Sequence, residues 1–320
     1  MTPPPPLRRH RRAVRQLLLG LVPVLVVGVV VLVALALRLS DVQAPLAAAD
    51  RAATATVTAA GTPPEGRGLD VSFRDDAGRE RSGTLVLDEP LDVPVGAELT
   101  VQHPSTAPAG DPVRVYTDGD AAHAAVGDVV FGLAAVVLVL VTVATLTLAR
   151  LVSRPRLRAR PASTVTGTHV VGNQGLLMRS WLELETPAGR RWLPTHWAPE
   201  LDRLPPGSRV EVRGDPARGR LVLPVLDGAE VWPSGRLRSQ EPRGGVRQAP
   251  VVPDAGEVGL ARQARADGVL PFLAPVLGLL WAYLDSSGLA GFVVATALSA
   301  AVLFWVPQLL GSDPQATRQG

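Results

Sequence analysis

The stretch Val129–Leu148, VVFGLAAVVLVLVTVATLTL, contains no ionisable side chain and is followed by arginines at 150, 154, 156, 158 and 160. Read as a helix, with about 1.5 Å of rise per residue, it covers roughly 30 Å, the hydrocarbon thickness of a bilayer. An arginine cluster at one end marks that end as cytoplasmic. Residues ahead of this helix are then expected outside the membrane, and residues behind it inside, as far as the next apolar block.

Three more apolar blocks complete the pattern: Leu17–Leu37, Val269–Leu284 and Leu289–Leu310. The expected layout is a basic cytoplasmic tail over 1–16, a transmembrane helix over 17–37 and an extracytoplasmic β-module over 38–126. A second helix comes next over 127–149, then a cytoplasmic β-module over 150–235 and a linker with a short helix over 236–267. Helices over 268–284 and 289–310, joined by a turn at 285–288, lead to a cytoplasmic tail over 311–320. The fold class is therefore an α+β membrane protein with four transmembrane helices and two small all-β modules, barrel or sandwich. It is expected in the cell membrane with both termini cytoplasmic. The first block exceeds the roughly 7–15 residues of a signal-peptide core, which favours an uncleaved anchor. Cleavage near Ala44 or Ala47–Ala49 is the alternative.

All 32 basic residues are Arg, with no Lys and no Cys. Abundant Ala, Val, Gly, Pro and Arg without Lys points to a GC-rich genome. These absences exclude a phosphate loop of the G-x-x-x-x-G-K type, Schiff-base chemistry, a thiol nucleophile and a Cys-ligated zinc. The net charge of +3 hides a partition. Residues 38–128 hold 7 Arg against 15 Asp and Glu, a balance of −8, whereas 150–268 hold 19 Arg against 12 acids, a balance of +7. Arginines beside membrane spans are read as orientation signals and contacts for anionic lipid, not as a nucleic-acid surface. Arg150, Arg154, Arg156, Arg158 and Arg160 are the expected lipid contacts.

Between the first two helices, short alternating runs such as Leu69, Val71 and Phe73 are bounded by Gly, Pro and Asp, the signature of small β-structure. The second module repeats landmarks of the first. Val57 corresponds to Val165, the turn at Asp76–Arg79 to Pro187–Arg190, Gly96 to Gly207, and Pro104 to Pro216, suggesting duplication. The second module also carries Trp181, Trp192, Trp197 and Trp232. Such aromatics serve first as core area. The other reading is an exposed contact surface of Trp192, His196, Trp197, Trp232 and Arg236. Asp254 with Glu257 has the spacing of a capping box for a short helix to Arg265. In the last helix, Gly291, Ala295 and Ser299 form a small-residue stripe suited to close helix packing.

The first module resembles a family of bacterial membrane proteins in which a small β-domain of unknown function sits between two transmembrane helices. The resemblance is carried by Ala55-Thr56-Val57, Val71-Ser72-Phe73-Arg74-Asp75-Asp76-Ala77-Gly78-Arg79, Val95-Gly96, His103-Pro104 and Val113-Arg114-Val115. It covers about residues 17–150, with the second module a diverged echo. Gln102-His103 stands where the family has an aromatic-acidic pair. The resemblance implies architecture and brings no catalytic residues.

For function, the expectation is a non-catalytic envelope protein that works through contacts and uses no cofactor or metal. Its partners would be membrane lipids, other envelope proteins or a second copy of itself, with no nucleic acid. A transporter is the first alternative, although no span has an ionisable residue in its interior and Thr142 and Thr145 are the most polar residues of the second helix. A membrane-anchored hydrolase is the other, with His196 beside Trp197 and Glu200, or His103 near Asp111, as its acid-base candidates. Asp118-Gly119-Asp120 is too short for an EF-type calcium loop.

Overall fold

The computed structural model describes residues 11–106, 112–285 and 287–315. The basic tail up to His10, Asp111, Ser286 of the expected turn and the tail beyond residue 315 lie outside the described residues. Among the described residues, four helical stretches are long and apolar enough to cross a membrane: Arg11–Ala48, Ala121–Ala159, Leu260–Leu284 and Gly288–Leu310. The chain is α+β, with two β-sheets beside these helices. It falls into two compact units, one of residues 30–138 and one of residues 1–29 with 139–320.

The first helix, α1 (Arg11–Ala48), and the second, α2 (Ala121–Ser153), run well past their apolar blocks. At about 1.5 Å per residue, α1 measures roughly 57 Å. Asp120 starts α2. Its buried carboxylate accepts the backbone N–H groups of Ala122 and His123 at 3.0 and 2.9 Å, filling two of the orphan donors of the first turn. The Asp-Gly-Asp segment is thus a helix cap.

In the unit of residues 30–138, five strands follow: β1 (Arg51–Thr62), β2 (Gly68–Arg74), β3 (Glu80–Val86), β4 (Glu98–His103) and β5 (Val113–Arg114). Their order is β4-β1-β2-β3-β5, with β3 and β5 parallel. Just past β5, Tyr116 exchanges both backbone bonds with Gln102 of β4 at 2.7 and 2.9 Å. Residues 113–116 therefore pair with both edges and close the sheet into a small Greek-key barrel, which decides between barrel and sandwich. The alternating residues Val57, Leu69, Val71, Phe73, Leu85, Val101 and Val113 fill its interior.

The second unit holds β6 (Ala162–Gln174), β7 (Leu177–Thr186), β8 (Gly189–Pro194), β9 (Ser208–Arg213), β10 (Leu223–Leu226), β11 (Ala229–Glu230) and β12 (Val246–Gln248). They run β11-β10-β9-β6-β7-β8, with β12 on β6. The sub-order β9-β6-β7-β8 matches β4-β1-β2-β3 of the first sheet, fourth strand beside first. The matched hairpin glycines Gly78 and Gly189 both have positive φ, 74° and 98°, where a Cβ would be strained. Beyond β11, Pro233 bridges Thr195 and Arg238 bridges Trp192, so residues 233–238 close this sheet too. Part of the expected linker is thus barrel wall, through Arg238 and β12. Leu182, Leu184, Leu193, Val210, Val212 and Val231 fill this core.

A short helix α3 (Pro199–Asp202) follows β8. The chain then leaves the barrel through α4 (Leu260–Asp267) and a 3-10 turn (Leu270–Leu273) into α5 (Ala274–Leu284) and α6 (Gly288–Leu310). Gly259, not the expected Asp254 and Glu257 pair, occupies the N-cap of α4 and makes no side-chain bond. Helices α5 and α6 come close together at Gly278, where a Cβ would press on Thr296 and lie 3.0 Å from the Phe292 carbonyl. This contact falls at Phe292 and Thr296, beside Gly291 and Ala295 of the expected small-residue stripe. Leu25, Val29, Phe272, Leu279, Tyr283 and Leu289 point outward and stay exposed. Large apolar side chains on the outer face of long helices suit hydrocarbon, not water.

Candidate functional site

The second unit joins its helices to its barrel through polar side chains that are almost all buried. Gln16 of α1 donates to the carbonyl and hydroxyl of Ser312 at 3.4 Å each, and its Oε1 lies 3.3 Å from His196 Nδ1. Gln263 of α4 donates to Ser312 Oγ at 2.8 Å and to Asp267 Oδ2 at 2.7 Å, an oxygen that also accepts from Gln308 at 2.6 Å. Arg12 donates to Gln263 Oε1 at 3.0 Å and to the Val258 carbonyl, and lies 4.5 Å above the Trp197 ring. The ends of α1, α4 and α6 thus meet in one network. An apolar layer lies beside it, with Leu17, Leu21, Val143, Leu223, Trp232 and Trp305. There Trp305 of α6 donates to Thr147 of α2 at 2.9 Å. The engaged threonine of α2 is Thr147, while Thr142 and Thr145 are exposed.

A second group continues the network into the barrel. Ser180 of β7 donates to Asp313 at 2.7 Å and lies 3.2 Å from His169 Nε2 of β6, while His169 Nδ1 is 3.5 Å from Asp202. Trp197 donates to the other Asp202 oxygen at 3.0 Å. The order Ser–His–Asp resembles a hydrolytic triad, but Ser180 is fully enclosed and its proton is given to Asp313. A nucleophile needs access and a base that takes its proton. Burial dominates the electrostatics. It pulls His169 down to about 4, against the smaller opposing effect of the Leu201 backbone acting as acceptor for the ring. It pushes Asp202 up to about 6, helped by the charge of Asp313 and opposed by the Trp197 bond.

The arginines after α2 are mostly used by the protein itself. Arg154 is buried and donates to the Pro233 carbonyl at 2.9 Å. Arg158 grips both oxygens of buried Glu230, its Nη2 at 2.8 Å, and Arg160 donates to Leu221 at 3.2 Å. Arg150 is half-buried, leaving Arg156 and Arg160 exposed. Of the five arginines expected at lipid, these two are the exposed ones.

The expected aromatic surface changes in the same way. His196, Trp197 and Trp232 are buried and Trp192 is half-buried, so Arg236 alone of that set is exposed. The packing reading accounts for these tryptophans. His196 takes its place in the polar network beside Gln16, while Glu200 pairs with Arg203 at 3.1 Å. His103 is buried against Phe73, ring centroids 4.8 Å apart, and its expected partner Asp111 lies outside the described residues. Among the described residues no three His, Asp or Glu side chains are grouped to hold a metal ion.

An open cleft of about 620 Å³ lies on the second barrel, lined by Arg191, Arg220, Arg238, Arg243, Gln174 and Glu241 among others. Sequence reasoning assigned these arginines no role. They come from three separate segments, around 191, 220 and 238–243, and only barrel closure brings them together. No protein-family profile, curated protein or solved structure matches the chain.

Proposed function

We propose that this chain is a non-catalytic, multi-pass protein of the cell membrane with both termini in the cytoplasm. Its acidic barrel stands outside, its arginine-rich barrel inside, and it acts through contacts with lipids, other envelope proteins or a second copy of itself. The polar network carries this reading. Gln16, Gln263, Gln308, Ser312 and Asp313 are spent on one another and on the barrel, which suits a fixed joint between helix ends and a cytoplasmic module. A triad-like set sealed from solvent supports structure over hydrolysis. The shared strand order supports reading the barrels as a duplicated unit, as the matching landmarks of the two modules suggest.

The chain should stay in the membrane fraction through alkaline carbonate extraction. Photoreactive residues placed at the exposed positions Arg156 and Arg160 should form adducts with anionic lipid. Release by carbonate, or adducts absent at both positions, would overturn the proposal.

A further inference from the structure

The cleft on the second barrel has the chemistry of an anion site. Arg191, Arg220, Arg238 and Arg243 line it, with Glu241 the one carboxylate among its lining residues. None of the four arginines takes part in an ion pair among the described residues, whereas Arg158, Arg190, Arg203 and Arg213 of the same unit do. Arg191 donates to the Ala217 carbonyl and lies near enough to Asp215 to feel its charge, while its buried Nε has no hydrogen-bond partner among the described residues. A fifth guanidinium stands behind the wall. Arg179 is 4% exposed and donates to Gln174, a lining residue, at 2.7 Å and to Ser234 at 3.1 Å. Its buried Nε also lacks a partner. Arg179 and Arg238 both lie over the Trp181 ring, 5.1 and 5.4 Å from its centre.

Buried guanidinium groups are costly without a counter-charge, and neutral Gln174 and Ser234 supply none. Planar, multidentate Arg donors match the oxygens of a phosphate group. A cleft of this size falls in the range of small-ligand sites. We propose that the cleft binds a phosphate-bearing anion, with Arg220 and Arg238 as direct ligands and Arg179 reinforcing the field through the Gln174 wall.

Two sources share this chemistry, a soluble phosphate compound and an anionic lipid headgroup. The headgroup arm rests on the membrane topology proposed above; the soluble arm does not. The test uses the full chain in phosphatidylcholine nanodiscs, following tryptophan fluorescence during titration with pyrophosphate. Parallel nanodiscs containing phosphatidylglycerol are read by native mass spectrometry. Saturable pyrophosphate binding that weakens with salt supports the soluble source, and retained phosphatidylglycerol supports the headgroup. In either arm, the Arg220→Gln/Arg238→Gln double variant should lose at least about tenfold in affinity. Arg209→Gln, at an exposed position outside the cleft, should bind as wild type does. No saturable binding of either probe, or undiminished binding by the double variant, would overturn the proposal. The membranes from which the chain is purified undergo carbonate extraction in parallel, so failure of the topology is seen separately from failure of the cleft.

Discussion

Replacing Arg158 by Met strands the Glu230 carboxylate in the wall of the second barrel. Glu230 is 2% exposed; without Arg158, its remaining side-chain partner is Trp232 Nε1 at 3.4 Å. Removing one member of a buried ion pair typically costs about 3–5 kcal/mol, since the charge left behind cannot regain water. For a unit of this size, that lowers the melting temperature by roughly 6–20 °C. Replacing both residues, Arg158→Met with Glu230→Met, removes the stranded charge and should recover most of the loss, because a buried pair adds little net stability over apolar substitutes. Thermal unfolding in detergent, followed by tryptophan fluorescence, reads both effects. A single Arg158→Met loss below about 1 kcal/mol, or a double variant as unstable as the single, would refute the reasoning.

Three further outcomes are expected. Folding lowers His169 from 6.5 to about 4, so it makes stability rise with pH across that window; it raises Asp202 from 3.8 to about 6, so stability falls as pH rises there. These opposed slopes nearly cancel in the native chain. Asp202→Asn should expose the histidine slope as stability climbing from about pH 4 to 6.5 in pH-dependent melts; a flat profile would contradict this. Trp305→Phe removes the bond to Thr147 and should cost about 0.5–1.5 kcal/mol in detergent unfolding, with no change counting against that bond. Gly278→Val places a branched side chain against Thr296 and Phe292. It should push α5 from α6 and lower the crosslinking yield of cysteine pairs placed across that hairpin, whereas an unchanged yield would disprove the close approach.

Features tied to side-chain periodicity were legible in the sequence. Alternation at Leu69, Val71 and Phe73 marked a barrel wall, and runs without charge marked four helices. Barrel closure was not legible, because it rests on backbone bonds at Tyr116, Pro233 and Arg238 that impose no alternation. The polar joint was equally hidden: Gln16, Gln263, Gln308 and Ser312 are nearly 300 residues apart at the extremes, and each alone reads as solvent-facing. Gln308, a polar side chain near the end of an apolar helix, was its best available signal. The protein partners of the arginines beyond α2 were hidden for a related reason. Charge beside a membrane span suggests lipid, yet Arg154 and Arg158 reach protein acceptors supplied by residues 230–233.

The most direct test of the account concerns which side of the membrane each barrel occupies. The chain has no cysteine, so Glu89→Cys and Ser239→Cys each introduce a single thiol at an exposed site. On intact cells, a membrane-impermeant maleimide should label the Glu89→Cys chain at once and the Ser239→Cys chain only after permeabilisation. Equal labelling of both before permeabilisation, or protection of both, would contradict the four-span topology.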